Sequence, residues 1–210
     1  MRSAIIIRTV IATLAASATI GVLAAAAFIA SGIYNVGATD PHWPLTHWVL
    51  ETGRMRSIQT HAAHITVPSG LDDDAKIAVG TEHFAAHCAI CHGGPGVPRG
   101  DIAHGLFPKP PDLILAAQRY TAAELFWILQ NGIKSTGMPA WNAHGDDELW
   151  ATVAFLAKLP HMSEQDYAKL VMQTIMTGGG HQHHGDASVP NPAGEGTSSP
   201  VPVGASAHQH

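Results

Sequence analysis

The N-terminal part of the chain carries one long apolar run with charges on both sides. After Arg2 and Arg8, no charged residue occurs until Asp40. The run from Thr9 to Ile33 is long enough to cross a bilayer as a helix, which needs about 20 residues. We therefore predict a transmembrane anchor within residues 1–36.

The charges around this run predict its orientation. Basic residues precede it and the acidic residues Asp40 and Glu51 follow, so the N-terminus is expected on the cytoplasmic side and the body outside. A cleaved signal peptide is the alternative, since Ala24–Ala26 offers a small-residue cleavage site. The apolar region of a signal peptide usually has about 7–15 residues, and this run is longer, which favours the anchor.

Residues 37–70 are predicted to form a short helix and a connector. Apolar positions recur at helical spacing from Leu45 to Ile58, and the other face carries Glu51, Arg54 and Arg56. Ile65–Pro68 is typical of an extended segment. We interpret the helix as a juxtamembrane element that lies on the membrane or on the domain that follows.

The pattern then predicts an all-α domain over residues 71–160. Helix starts are marked by acidic residues or by the capping-box pattern at Thr121 and Glu124, and helix ends by Gly132 and Pro160. The predicted helices run from Asp72–Asp74 to about His87, from Thr121 to Asn131-Gly132, and from Asp146 or Asp147 to the residue before Pro160. No strongly alternating strand pair is visible.

The C-terminal part predicts a further helix and a tail. Ser163 is suited to cap a shorter, polar helix within residues 161–177. Residues 178–210 are rich in His, Gly and Pro and have little apolar surface to bury, so we expect them to be disordered.

Composition narrows the classes of function. The formal charge is −5, so no strongly basic surface suggests nucleic acid as a partner. There is no repeat of solenoid length and no phosphate-cradling glycine loop. Many of the 15 histidines lie in the tail, where imidazoles are able to bind copper, nickel or zinc, although a tail without a metal role is favoured.

The two cysteines of the chain stand together in Cys88–His92, "CAICH". Cys-x-x-Cys-His is the attachment signature of c-type haem: the thiols add to the two vinyl groups, and the histidine is held beneath the iron. A disulfide here would close too short a loop to remove much chain entropy. A redox dithiol needs a βαβ setting and a zinc site needs further ligands, and neither is visible. The predicted export favours haem, which is attached outside the membrane.

A haem bound by one histidine needs a ligand for its other face. Met138 lies between two predicted helices, flanked by Gly137 and Pro139. A turn-forming stretch is a less usual place for a methionine that merely fills the core. A thioether ligand gives a low-spin, electron-transferring haem with a raised reduction potential. We therefore predict His92 and Met138 as the iron ligands.

With these motifs in place, the chain from about Leu71 to Pro160 resembles a class I cytochrome c of the membrane-anchored bacterial monohaem type. The resemblance rests on "CAICH", "FPKPPDL" at Phe107–Leu113, "TGMPAW" at Thr136–Trp141 and the final helix "DDELWATVAFLAKLP". It implies three to four helices around one covalently bound haem c, after one transmembrane helix. The expected location is the bacterial inner membrane, with the domain in the periplasm.

The resemblance also implies roles for single residues. In this family the first and last helices cross closely, which matches Gly80 and Phe84 with Phe155, and with Trp150 as a further aromatic. A proline carbonyl accepts the Nδ1–H of the proximal histidine and fixes its ring. The residues expected around the haem are Pro110 or Pro111 for that carbonyl, and Arg99 and Trp141 for the propionates.

We expect an electron carrier and not an enzyme, because a closed His/Met site leaves no catalytic position. The implied partners are a redox donor and acceptor, namely a periplasmic dehydrogenase and a terminal oxidase or reductase. The alternative is a haem enzyme or sensor in which the sixth coordination position of the iron opens. The long segment 93–109 and the His-rich tail are compatible with this alternative. The histidines outside the motif, His83, His87, His104 and His144, are interpreted as having no ligand role.

Overall fold

The structure is a computed structural model, and it describes residues 2–177. These residues form an all-helical chain without β-strands. The predicted disordered tail, 178–210, lies outside the described residues. The helices are α1 Arg2–Ser31, α2 Pro44–Ala62, α3 Asp74–His83, α4 Ala89–His92, α5 Asp101–His104, α6 Leu113–Arg119, α7 Ala122–Asn131, α8 Asp146–Lys158 and α9 Glu164–Thr177.

Helix α1 is the candidate membrane span. It has 30 residues, and none of its side chains is buried against the rest of the chain. An apolar helix without buried side chains leaves its surface accessible to lipid, and 30 residues exceed the length needed to cross a bilayer. The length and composition of α1 are therefore those of a membrane anchor.

Membrane fractionation tests whether α1 is retained. We expect the protein to sediment with membranes, to resist salt washing and to need detergent for release, because the apolar surface of α1 partitions into lipid. N-terminal sequencing of the mature protein provides the control. A mature N-terminus near Ala27 would contradict the anchor and indicate a cleaved signal peptide.

Helix α2 lies on the globular domain. Ile58 and Ala62 are buried, and the ring of His61 stacks on Trp127 of α7 at a centroid distance of 5.5 Å. The Tyr120 hydroxyl donates a hydrogen bond to the Met55 sulfur at 3.2 Å. The sequence allowed this helix to lie on the membrane or on the domain that follows. In the structure it packs on the domain.

The core is built around the crossing of α3 and α8. A Cβ added at Gly80 would lie 1.9 Å from the Ala151 carbonyl oxygen, so only glycine permits this close approach. One turn further along, the rings of Phe84 and Phe155 pack with centroids 4.7 Å apart. The close crossing implied by the family resemblance is thus confirmed. The further aromatic, Trp150, stacks its ring on Phe126 of α7 at a centroid distance of 4.2 Å.

The ends of the helices follow the sequence signals. Asp73 caps α3 by accepting backbone N–H bonds, and Thr121 and Glu124 form the predicted capping box of α7. Gly132 then ends α7 with a φ of +63°, a conformation that glycine adopts readily. The predicted start of α8 at Asp146 and its end before Pro160 are also confirmed.

Two elements differ from the predictions. The first domain helix does not end near His87, because a π-helical turn, Phe84–Cys88, links α3 directly to α4. Helix α9 is not shorter than α8, since it has 14 residues against 13. Its Tyr167 packs edge-on against Phe84 and is buried in the core. Burial of this aromatic ring stabilises the longer helix. The polar composition of the segment does not indicate that burial.

Candidate haem site

A largely apolar cavity lies between the Cys88–His92 motif and the Met138 loop. Its volume is about 320 Å³, within the range of about 300–1,000 Å³ that is usual for ligand sites. It is walled by α2, α4, α7 and the two loops around Pro110 and Met138. The sequence-predicted residues in its wall are Cys88, Cys91, His92, Pro110, Pro111, Met138 and Trp141.

The imidazole of His92 is held by the proline-rich loop. Its Nδ1 lies 2.9 Å from the carbonyl oxygen of Pro111, so the Nδ1–H donates to that oxygen. Of the two prolines that the sequence offered, Pro111 therefore makes this bond. Burial lowers the pKa of His92, the bond to Pro111 opposes this, and the nearby charge of Arg99 lowers it further. The net shift of the pKa is downward, which favours the neutral imidazole, and Nε2 is the atom left for a metal.

The two cysteines differ in environment. The Cys88 side chain is buried, and burial together with the neighbouring Cys91 raises the pKa of its thiol to about 12. A protonated buried thiol is a poor redox nucleophile and a poor metal ligand. The two are not joined by a disulfide. This environment argues against a redox dithiol and suits an apolar thioether side chain.

The Met138 loop is fixed to the C-terminal end of α7. The Thr136 hydroxyl donates to the Ile133 carbonyl at 2.8 Å and accepts the Met138 N–H at 3.1 Å. The Ile133 N–H donates to the Met138 carbonyl at 3.1 Å. A Cβ at Gly132 would lie only 2.6 Å from the backbone of Pro139, which shows how closely the loop folds onto the helix end. Met138 is thus held at a defined place in the cavity wall.

Two buried N–H groups in the cavity wall have no partner among the described residues. They are Nε of Arg54, from α2, and Nε1 of Trp141. A buried donor without an acceptor costs about 1–3 kcal/mol, so such atoms indicate a ligand that supplies the acceptor. The haem propionates are acceptors of this kind. With the apolar walls, His92 and the cysteines, these donors fit a bound haem.

The structure does not place Arg99 in this cavity. Arg99 lines an adjoining cleft with His92, Pro98 and Asp112. Sequence analysis missed Arg54, because the motif resemblance does not extend to α2. The sequence feature that could have indicated Arg54 is the charged face of α2, which carries Glu51, Arg54 and Arg56.

The structure also brings together three histidines that the sequence analysis set aside. Nitrogen atoms of His83, His87 and His144 all lie within 4.8 Å of one another. His83 and His87 are four residues apart on one helical face, which is a visible signal. His144 joins them only because the segment before α8 folds back over α3. No sequence pattern shows that contact.

The all-α fold and the apolar cavity fit a c-type cytochrome domain with covalently bound haem c, a class of protein that takes part in electron transfer. Residues 75–156 match the family described as cytochrome c oxidase, cbb3-type, subunit III. These residues therefore form a class I c-type cytochrome domain, preceded by an apolar helix suited to a membrane. Among the curated proteins, none matches this sequence.

Proposed function

We propose that this protein is a single-haem electron carrier, anchored on the outer, periplasmic face of the bacterial inner membrane, with His92 and Met138 as axial iron ligands. One observation carries the proposal: His92 and Met138 line the same cavity, each held by backbone hydrogen bonds. The single pair of cysteines in the sequence supports one haem. When bound, the haem supplies one-electron chemistry at its iron.

Hydrogen bonds within the chain position both proposed iron ligands before a haem is bound. The Pro111 carbonyl keeps the proton of His92 on Nδ1, so Nε2 would be the atom that holds the iron. The Met138 loop, fixed to α7, presents a thioether that does not need to reorganise. Rigid ligands reduce structural change between the two oxidation states. The apolar wall excludes water, which keeps the ligand set closed and opposes an enzymatic role.

We assign the propionates to Arg54 and Trp141. Both residues line the cavity, and each has a buried N–H without a partner among the described residues. Arg54 is additionally held by Glu51, whose Oε2 lies 2.5 Å from its Nη2. Arg99, which the sequence suggested for this role, lies in the adjoining cleft and acts instead on the charge of His92.

Replacement of Arg54 by Gln tests this assignment. We expect the haem midpoint potential to fall, because the lost positive charge no longer offsets the propionates and the ferric state gains stability. About 1 kcal/mol corresponds to about 40 mV for one electron, so a fall of tens of millivolts is expected. Arg56→Gln on the same helix is the matched control, since Arg56 is exposed and outside the cavity wall. Equal potentials for the two variants would refute the assignment.

The partners are proposed to be redox proteins at the membrane surface. The matched family is described as a subunit of a cbb3-type oxidase, so we propose a terminal oxidase complex as the acceptor, with a reductase as the alternative acceptor and a periplasmic dehydrogenase as the donor. Carrier encounters are small and short-lived, with interfaces below about 1,200 Å². The net charge of −5 gives no reason to propose nucleic acid.

Absorption spectroscopy of the haem-loaded protein tests the function. A closed His/Met site predicts a low-spin spectrum, a weak methionine-to-iron charge-transfer band at the red edge, and a ferrous form that does not change with carbon monoxide. A high-spin spectrum that responds readily to carbon monoxide would reject the carrier in favour of a haem enzyme or sensor with an open sixth position.

A further inference from the structure

Three imidazoles meet beside the haem cavity in an arrangement that the electron-carrier function does not use. His83 lies on α3, His87 in the π-helical turn that follows, and His144 in the turn before α8. The ring centroids are 4.8 Å apart for His83 and His87, 4.8 Å for His83 and His144, and 5.1 Å for His87 and His144. The rings of His83 and His144 are perpendicular, so they do not stack. One ring nitrogen from each of the three side chains lies within 4.8 Å of the other two.

The carboxylate of Glu148 lies close to Nδ1 of two of these imidazoles. Oε1 of Glu148 lies 2.5 Å from Nδ1 of His83 and 3.5 Å from Nδ1 of His144. A carboxylate on Nδ1 holds the proton there and directs Nε2 at a metal, as in carboxylate–histidine–zinc arrangements. Its negative charge also offsets part of the charge of a bound cation.

We propose that His83, His87 and His144 form a binding site for a divalent transition metal ion of the zinc and copper class, with Glu148 orienting the ligands. Imidazole is the ligand that zinc and copper prefer among neutral side chains. Three protein nitrogens leave a fourth position for water, the ligand number of open zinc sites.

The distances require only a small adjustment. Nitrogen ligands at about 2.1 Å in tetrahedral geometry are about 3.4 Å from one another. Rotation of the side chains brings the present separations between ring nitrogens, which are up to 4.8 Å, to this value. His83 is almost fully buried and fixed by Glu148, whereas the His144 side chain is 21% exposed. His144, the more exposed of the two, thus provides the entrance.

The site is adjacent to the haem. His87 precedes Cys88 and lines the haem cavity, and the Trp141 ring packs against His83, His87 and His144 at 5.2–5.6 Å. A divalent charge at this wall stabilises ferrous relative to ferric iron, because added positive charge opposes loss of an electron. We therefore expect metal binding to raise the midpoint potential of the haem.

Equilibrium dialysis of the full-length, haem-loaded protein against Zn²⁺ alone tests the site. Zinc bound by tail histidines would be the same in every variant, so the readout is the difference between variants. The His144→Ala protein is expected to bind one zinc ion fewer than the wild type. Glu148→Gln is expected to weaken this zinc about 10–100-fold, the usual effect of losing such an orienting group. His104→Ala, an exposed histidine outside the cluster, is the control and should bind like the wild type.

A redox titration with and without Zn²⁺ gives the second readout. Zinc should raise the potential of the wild type and of His104→Ala, and should not change that of His144→Ala. Unchanged haem spectra of the variants establish that they are folded, and His87→Ala replaces any variant that is not. Equal zinc numbers and affinities for the wild type and a folded cluster variant would overturn the proposal.

Discussion

Replacement of Met138 by Ala is expected to remove the sixth iron ligand while the haem stays attached. Cys88, Cys91 and His92 are untouched by this change. The methionine-to-iron band should disappear, and the ferrous protein should bind carbon monoxide. The potential should fall by on the order of 0.2 V, because a thioether stabilises ferrous iron and axial ligands set haem potentials over a span of about 0.8 V. Absorption spectra and a redox titration measure both effects.

Other methionines provide the controls for this experiment. Met172 is 58% exposed on α9 and lies outside the cavity wall, so Met172→Ala should keep the band and the potential. Met162 packs against the core and Met176 is exposed. If the Met138→Ala protein keeps both the band and the potential, Met138 is not the ligand, and these three methionines are the next to replace.

Replacement of Gly80 by Ala is expected to be the most destabilising single-methyl change in the domain. The new Cβ would lie 1.9 Å from the Ala151 carbonyl oxygen and 2.9 Å from the Thr152 nitrogen. These are backbone atoms inside α8, so the clash is relieved only by moving the two helices apart. Overpacking of a core costs about 1–3 kcal/mol, and a clash with backbone should reach or exceed the upper value. Guanidinium unfolding followed by circular dichroism measures the loss.

Gly53 offers the matched control. It also lies inside a helix, α2, but a Cβ there would meet nothing within 4 Å. Gly53→Ala should therefore stabilise the protein by about 0.5–1 kcal/mol, through the lower entropy of the unfolded chain. Equal free energies of unfolding for Gly80→Ala and the wild type would show that the α3–α8 crossing is looser than described.

The crossing matters for the haem site because α3 continues without a break into the haem motif. The π-helical turn Phe84–Cys88 and α4 follow directly, so any shift of α3 moves Cys88 and His92. Extra residues in a π-helical turn re-aim side chains and are frequent at functional sites. A destabilised crossing should therefore also weaken the ligand geometry of the haem.

The sequence by itself determined the parts that depend on local chemistry. The Cys88–His92 spacing, the capping box at Thr121 and Glu124, and the apolar run of α1 are patterns of neighbouring residues, which short-range geometry and composition fix. They predicted the helical class, the covalent haem and the candidate membrane span. The assignment of Met138 as the second iron ligand, which rests on the turn residues of its loop, stays a prediction.

Only the tertiary structure decided which distant residues meet. The choice of Pro111 over Pro110 depends on where a loop 19 residues from His92 presents its carbonyl groups. The entry of Arg54 into the cavity wall depends on the packing of α2 on the domain. The three-histidine cluster joins α3 to the segment before α8 across the helix crossing. Such contacts arise from packing between elements, and no periodicity in the sequence encodes them, because the pattern of one helix does not specify the register of the other.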